Sequence, residues 1–280
     1  MSVGANAMLS GPASDTQITH AGRLWLYLLC GLICLFLMAP SLLVIPMSFS
    51  GSRFLQFPPE SWSTQWYDVY FDSVEWRAAT IISLKAAVLT TLLATPIGTL
   101  AAYGIHVSRT RLGGLLQVIM MLPLMVPVIL IAVGVFFLYA KVGLNNSVTG
   151  LVLAHSILAI PFVVVTVSAG LKSFDMNQEM VARSLGASRA KAFLTVTLPQ
   201  IRFSVLSGAL FAFITSLDEV VIALFVARGD SATLTRRMFA FLRDQVDPTI
   251  AAISTLLIGV SIVLLLVYAL LGQRSAGGGR

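Results

Sequence analysis

Three charged residues lie inside long apolar stretches of the sequence, where a charge is costly. Lys85 lies within 78–105, and the adjacent acids Asp218 and Glu219 lie within 203–227. A charged side chain at the centre of a membrane-spanning helix costs about 2.5–3.5 kcal/mol on an insertion scale, so such residues usually face a pathway or a partner. Carboxylates in this position can attract a cation, or Lys85 can neutralise one of them as an ion pair between helices.

Both interpretations stay open from the sequence alone. Adjacent residues on a helix point about 100° apart, so a single lysine cannot pair well with both acids. We therefore treat Asp218, Glu219 and Lys85 as candidate pathway residues.

Other chemistry-bearing patterns are missing from the sequence. It contains no Gly-x-x-x-x-Gly-Lys-Ser/Thr segment of the kind that cradles nucleotide phosphates. Its histidines, His20, His106 and His155, are scattered without the spacing of a metal site. No nucleophile and base have a recognisable spacing. We predict a chain that is not an enzyme and that holds no metal or cofactor of its own.

Composition indicates a membrane protein. The 280 residues are 57% hydrophobic and 11% charged, with a mean hydropathy of +0.90, whereas a soluble domain carries about 25% charged residues. Backbone groups in lipid must bond internally, and the short alternating strands of a β-barrel are missing. The predicted fold class is therefore an all-α integral membrane protein.

Six stretches are long enough to cross a bilayer, which takes about 20 helical residues. They are 24–45, 78–105, 112–140, 148–171, 203–227 and 250–271. With both termini inside, the inner segments hold ten basic residues and the outer segments seven, which favours cytoplasmic termini. The net charge of +6 is then a topology signal and no indication of nucleic-acid binding.

Prolines predict where two of these spans bend or begin. Pro123 and Pro127, one turn apart, predict a bend in the third span. Before the sixth span, Asp247 followed by Pro248 is typical of a helix N-cap.

The segment 172–202, between the fourth and fifth spans, has the pattern of a helix–turn–helix. Gly186 lies where a helix C-terminus favours positive φ, and Ser188 can cap a second short helix. Pro199 is expected to end or kink that helix. An apolar and basic surface of this kind needs a partner or a membrane face.

This segment carries a resemblance to a known family. The run Ala182-x-x-Leu185-Gly186-Ala187, followed by Phe193-x-x-Val196-x-Leu198-Pro199, resembles the cytoplasmic EAA loop of binding-protein-dependent ABC importer permeases. One position differs, because Met180 stands where the family has its glutamate, and Glu179 lies one residue earlier. The resemblance implies a six-helix type I importer permease fold and a loop that couples to an ATPase. The implied coupling residues are Glu179, Ala182, Leu185, Gly186, Ala187, Phe193, Leu198 and Pro199.

Other segments resemble the polyamine branch of that family. They are Phe57-Pro-Pro-Glu-x-x-Ser63-x-x-Trp66-Tyr67, Leu217-Asp-Glu-Val-Val221 and the run 247–254. The resemblance implies import of a small organic cation such as putrescine or spermidine. Import of another small solute (an opine, an amino-acid derivative or iron) remains an alternative.

The resemblance also implies an organisation of the chain. We expect a cytoplasmic tail (1–23), a peripheral first helix with a periplasmic segment (24–77), a five-helix transport core (78–272) that contains the coupling loop, and a second cytoplasmic tail (273–280).

The implied partners are two ATPase subunits that carry ATP and Mg, a second and different permease chain, and a periplasmic binding protein. The implied location is the lipid bilayer of the bacterial inner membrane. The alternative from another class is an ion-driven secondary transporter with Asp218 and Glu219 as proton carriers, but no convincing inverted repeat favours it.

Overall fold

The computed structural model of the chain describes residues 23–108, 111–244 and 247–276, which are mostly helical. The helices are α1 (Leu24–Ser48), α2 (Gln65–Asp72), α3 (Val74–Val107), α4 (Arg111–Met125), α5 (Val128–Val142), α6 (Val148–Ser173), α7 (Asn177–Ser184), α8 (Arg189–Gln200), α9 (Arg202–Asp218), α10 (Val221–Val226), α11 (Leu234–Asp244) and α12 (Thr249–Ala276).

Shorter elements complete the description. Helix α8 contains a π-helical turn over Phe193–Thr197, and Gly229–Ser231 forms a 3₁₀ turn. Within the described ranges, β structure is limited to one isolated bridge between Ser50 and Trp62. The prediction of an all-α chain is confirmed. Residues 1–22 and 277–280 of the two predicted tails lie outside the described residues.

The chain forms two compact units, of which the first combines the described residues up to Val69 with Asp247–Val267. In this unit, residues 24–38 of α1 are exposed along their whole length. Ser48, at the end of α1, lies 2.7 Å from the Tyr67 hydroxyl. Where α12 begins, the Asp247 carboxylate accepts the backbone N–H of Thr249 at 2.8 Å, which confirms the predicted cap.

The second unit contains α3 to α11, and α3, α6 and α9 pack against one another at its centre. Small residues make this contact, since Val163 of α6 packs against both Gly98 of α3 and Gly208 of α9. Small residues let helix backbones approach closely, which drives helix association in lipid. This three-helix core supports both candidate sites described below.

The third predicted span is bent, as its prolines predict. Helices α4 and α5 meet at an angle of 96°, and Pro127 is the residue that precedes α5. Proline has no N–H to continue a helix, so the bend falls at this residue. Pro123 remains inside α4.

The fifth predicted span needs a correction. The apolar stretch 203–227 was expected to form one helix, but α9 ends at Asp218 and α10 begins at Val221. Before α9, the chain turns by 79° between α8 and α9, so that α8 ends close to Pro199, one residue beyond it.

Among the described residues, four helices are long and apolar enough to cross a membrane, and two bent helix pairs raise that number to as many as six. This range includes the six predicted spans, but the second bent pair joins α9 to α8 and not to α10.

Gly98 provides a test of this packing. A Cβ at Gly98 would lie 2.7 Å from the Val163 Cβ, whereas a Cβ at Gly104 on the same helix meets nothing within 4 Å. We expect Gly98→Ala to destabilise the fold by about 1–3 kcal/mol through overpacking. Gly104→Ala is the matched control and should be neutral or slightly stabilising. Thermal unfolding in detergent measures both, and a Gly98→Ala protein that melts no lower than Gly104→Ala would contradict the packing.

Candidate functional sites

The turn after α7 has the hydrogen bonds of a Schellman motif. Gly186 has a φ of 94°. Its N–H donates to the Arg183 carbonyl oxygen at 3.0 Å, and the Ala187 N–H donates to the Ala182 carbonyl oxygen at 3.1 Å. Glycine adopts this positive φ without a steric penalty. The prediction for Gly186 is confirmed.

The next helix begins as the sequence predicts. The Ser188 hydroxyl accepts the Lys191 backbone N–H at 3.3 Å and so caps α8. Later in α8, the Leu198 N–H bonds to the Phe193 carbonyl oxygen, five residues back, which makes the π-helical turn. The segment 172–202 therefore contains a pair of short helices joined by a tight turn.

Glu179 fastens this helix pair to the core. The residue is only 2% exposed. The Tyr103 hydroxyl of α3 donates to one carboxylate oxygen at 2.5 Å, and the Thr197 hydroxyl of α8 donates to the other at 2.6 Å. A buried carboxylate is tolerated when it is hydrogen-bonded in this way. One side chain thus connects α3, α7 and α8.

Phe193 packs beside this contact. Its ring centroid lies 4.5 Å from that of Tyr103, and the side chain is buried. Of the coupling residues predicted from the resemblance, Glu179 and Phe193 are therefore internal.

The remaining predicted coupling residues lie at or near the surface. Leu185 is 84% exposed, Gly186 and Pro199 are exposed, and Ala182, Ala187 and Leu198 are half-buried. Met180 and Val181 are exposed as well. We call Met180, Val181 and Leu185 the loop tip, an apolar surface that the described part of this chain leaves uncovered.

A cavity of about 500 Å³ opens beside Glu179. Its basic lining comes from His106, Arg183 and Arg189. These side chains lie around a buried acid, so the surface that the loop presents there is basic.

Glu219 explains the interruption of the fifth span. Its carboxylate oxygens accept the backbone N–H groups of Ile222, at 2.9 Å, and Ala223, at 3.2 Å. These are donors in the first turn of α10, which a side chain can cap. The Glu219 backbone is extended, with a ψ of 120°. The acid therefore ends one helix and starts the next.

Two further hydrogen bonds hold the chain beside this break. The Thr235 hydroxyl donates to the Glu219 carbonyl oxygen at 3.0 Å. The Leu234 N–H donates to the Ser83 hydroxyl of α3 at 2.8 Å. The start of α11 is thereby tied to both the break and α3.

The two adjacent acids have different surroundings. Glu219 is 8% exposed, whereas Asp218, the last residue of α9, is exposed. The expectation that they point in different directions is confirmed.

The alternative interpretation, an ion pair with Lys85, is not what the structure shows. Lys85 is exposed, and among the described residues no carboxylate lies within 4 Å of its ammonium group. Instead, Glu219 Oε2 lies 3.6 Å from His155 Nε2. Since Glu219 is turned inward to cap α10, its carboxylate faces α6 and the histidine there.

Sequence reasoning missed His155, Tyr103 and Thr197. His155 carried a usable signal, because a histidine within an apolar span is itself an ionisable residue in the membrane. Tyr103 and Thr197 carried none, since hydroxyl residues are ordinary in such helices. Among the described residues, no group of three or more His, Cys, Asp or Glu side chains is placed to hold a metal ion.

Comparison with known proteins identifies relatives over most of the chain. The spermidine/putrescine transport system permease protein PotC of Haemophilus influenzae is 31% identical over 245 residues, which cover 86% of this chain and 93% of that protein. The putrescine transport system permease protein PotI of Escherichia coli K12 is 31% identical over 231 residues, covering 80% and 82%.

Solved structures show the same fold. A bacterial ABC transporter involved in the import of the acidic polysaccharide alginate has a TM-score of 0.67 and 13% identity, covering 94% of this chain and 99% of that chain. An amino acid ABC transporter has a TM-score of 0.54 and 20% identity, covering 73% and 98%. The predicted ABC importer permease fold is confirmed.

A family assignment follows from the sequence match. Residues 94–277 match the family described as binding-protein-dependent transport system inner membrane component. This match spans more than half of the chain and includes both the loop 172–202 and the broken span. The chain belongs to the family of binding-protein-dependent transport system inner membrane components.

Proposed function

We propose that this chain is the permease subunit of an ATP-driven importer for a small organic cation, a polyamine such as putrescine or spermidine. The observation that carries the proposal is the identity of 31%, over most of the chain, to permeases of spermidine/putrescine and putrescine transport systems. A periplasmic binding protein delivers the cation. A relative in fold is known in complex with a pentasaccharide-bound periplasmic protein.

The proposed assembly places catalysis on other subunits. Two ATPase subunits hold ATP and Mg, and a second, different permease chain completes the pathway. Both termini and the loop tip face the cytoplasm, in agreement with the larger number of basic residues in the inner segments.

The loop tip is the surface we assign to the ATPase. Leu185 extends into solvent with 84% of its surface exposed, and an exposed apolar patch of this kind indicates a protein contact. Gly186 and Pro199 shape the backbone on which the tip stands. Glu179, Phe193 and Leu198 transmit its movement inward, since Glu179 is hydrogen-bonded to Tyr103 of α3.

Asp218 is the residue we assign to the cation pathway. Its side chain is exposed at the break in the span, where Glu219 is already used to cap α10. A polyamine is positively charged near pH 7, because amines of this type have pKa values like that of lysine, about 10. Glu219 then affects the pathway indirectly, because its carboxylate caps α10 and so stabilises the break between α9 and α10. In the described part of the chain, Lys85 forms no ion pair with either acid.

The assembly is tested by purifying the chain gently from its native membrane and identifying what comes with it. We expect a P-loop ATPase and a second permease. Leu185→Ala should lower the recovery of the ATPase about tenfold, as expected for loss of an apolar anchor worth about 1–2 kcal/mol. Leu100→Ala, which changes another apolar and exposed residue, on α3, is the control. A pure, folded chain that never brings an ATPase would refute the proposed function.

The pathway is tested by Asp218→Asn in the complete importer in proteoliposomes, with ATP supplied on the side that the ATPase faces. Putrescine uptake should fall about tenfold, because one favourable charge interaction of about 1.4 kcal/mol is lost. ATP hydrolysis should persist. Asp72→Asn removes the same charge from an exposed position of α2 and should leave uptake unchanged. Normal uptake by Asp218→Asn would remove this residue from the pathway.

The role of Glu179 in coupling is tested by Tyr103→Phe. The substitution removes one of the two hydroxyl donors to Glu179, and a hydrogen bond to a charged group contributes about 1.5–3 kcal/mol. We expect the ratio of putrescine moved to ATP hydrolysed to fall, since the loop is held less firmly to α3. Tyr139→Phe, at another buried tyrosine, is the control. An unchanged ratio in Tyr103→Phe would show that this hydrogen bond has no part in coupling.

A further inference from the structure

His155 of α6 touches both sides of the break in the fifth span. Its Nδ1 lies 2.8 Å from the hydroxyl of Ser216, in the last turn of α9. Its Nε2 lies 3.6 Å from Glu219 Oε2, at the start of α10. One imidazole therefore spans the two helix ends that the break separates.

This contact is part of a buried polar network. The Ser216 hydroxyl donates to Thr90 Oγ1 of α3 at 3.3 Å. His155 and Thr90 are fully buried, and Ser216 nearly so. Buried polar networks fix a unique arrangement when their members are satisfied. The network thus links α3, α6 and α9 to the break.

One member of the network is not satisfied. His155 Nε2 is buried and has no hydrogen-bond partner among the described residues, and 3.6 Å from Glu219 Oε2 is too long for a hydrogen bond. A buried polar atom without a partner is costly. Because the Ser216 hydroxyl donates to Thr90, Nδ1 is the donor to Ser216, and Nε2 of a neutral imidazole is an acceptor. A hydrogen bond between Nε2 and Glu219 therefore needs one added proton, on Nε2 or on the carboxylate, as well as a movement of less than about 1 Å. With that proton in place, the contact would tighten while the bond from Nδ1 to Ser216 is kept.

We propose that His155 is a positioning residue for transport, which holds Glu219 and, through it, the break that exposes Asp218. This inference rests on the proposed function, because it gives the break its role in the cation pathway. His155 is distinct from the loop tip, which we assign to the ATPase, and from Asp218, which we assign to the cation pathway. Its effect should appear in how much cation moves for each ATP hydrolysed.

Two substitutions separate the two contacts of the imidazole. In His155→Asn the amide ends near the position of Nδ1, so it keeps the bond to Ser216 and cannot reach Glu219. In His155→Gln the amide extends to the position of Nε2 and can donate to Glu219. Both keep a polar group in the buried site.

The variants are compared in the complete importer in proteoliposomes, with labelled putrescine and measured ATP hydrolysis. We expect His155→Asn to lower the putrescine moved per ATP by about tenfold and His155→Gln to stay within about threefold of the unmodified importer. Ser156→Ala is the control. Its hydroxyl is also buried on α6 but donates to the Val152 carbonyl oxygen of its own helix.

Each other outcome overturns the inference. Equal ratios for the two variants, or a higher ratio for His155→Asn, would show that the contact with Glu219 has no role in transport. If neither variant assembles, His155 only stabilises the fold. Failure of the proposed function is a separate result, since the unmodified importer would then take up no putrescine.

Discussion

A carboxylate that is removed from water must be given hydrogen-bond donors, and this requirement determines two features of the second unit. Glu179 finds its donors in two hydroxyl groups, those of Tyr103 and Thr197. Glu219 finds its donors in the backbone N–H groups of α10. Removing one partner of a buried charge is strongly destabilising. The loop 172–202 is therefore held beside the hydroxyls of Tyr103 and Thr197. The fifth span is broken at Glu219, whose carboxylate caps α10.

Helix α3 connects these two features. Tyr103 bonds to Glu179, and Thr90, about 20 Å away along the same helix axis, accepts from Ser216 beside the break. Between them, Gly98 packs directly on Val163 of α6, so α3 and α6 cannot slide past each other without a clash. In the proposed coupling, a displacement of the loop would reach α3 through the bond between Glu179 and Tyr103, and the broken span through the packing of α3 against α6 and α9.

The sequence predicts the features that depend on local chemistry. Apolar length locates the spans, Pro127 the bend, Gly186 the turn, and Ser188 the cap. It does not predict contacts between distant residues: Tyr103 meets Glu179 76 positions later, and His155 meets Ser216 61 positions later. Nor does it show which of two adjacent acids turns inward, because that depends on the break that the acid itself creates. From the sequence alone, an ion pair between Lys85 and one of the two acids therefore stays open.

The break places the two adjacent acids at the ends of two different helices. Glu219 lies at the N-terminus of α10, where the helix dipole favours a negative charge, and Asp218 lies at the C-terminus of α9, where the dipole opposes one. The dipole of α9 therefore does not stabilise the Asp218 carboxylate. The negative charge of this carboxylate adds to the partial negative charge of the last carbonyl groups of α9. A helix end of this kind in a broken membrane span is suited to binding a cation. In the proposed pathway, the preference for a cation then comes from the helix end together with Asp218, and Glu219 is the residue that creates that end.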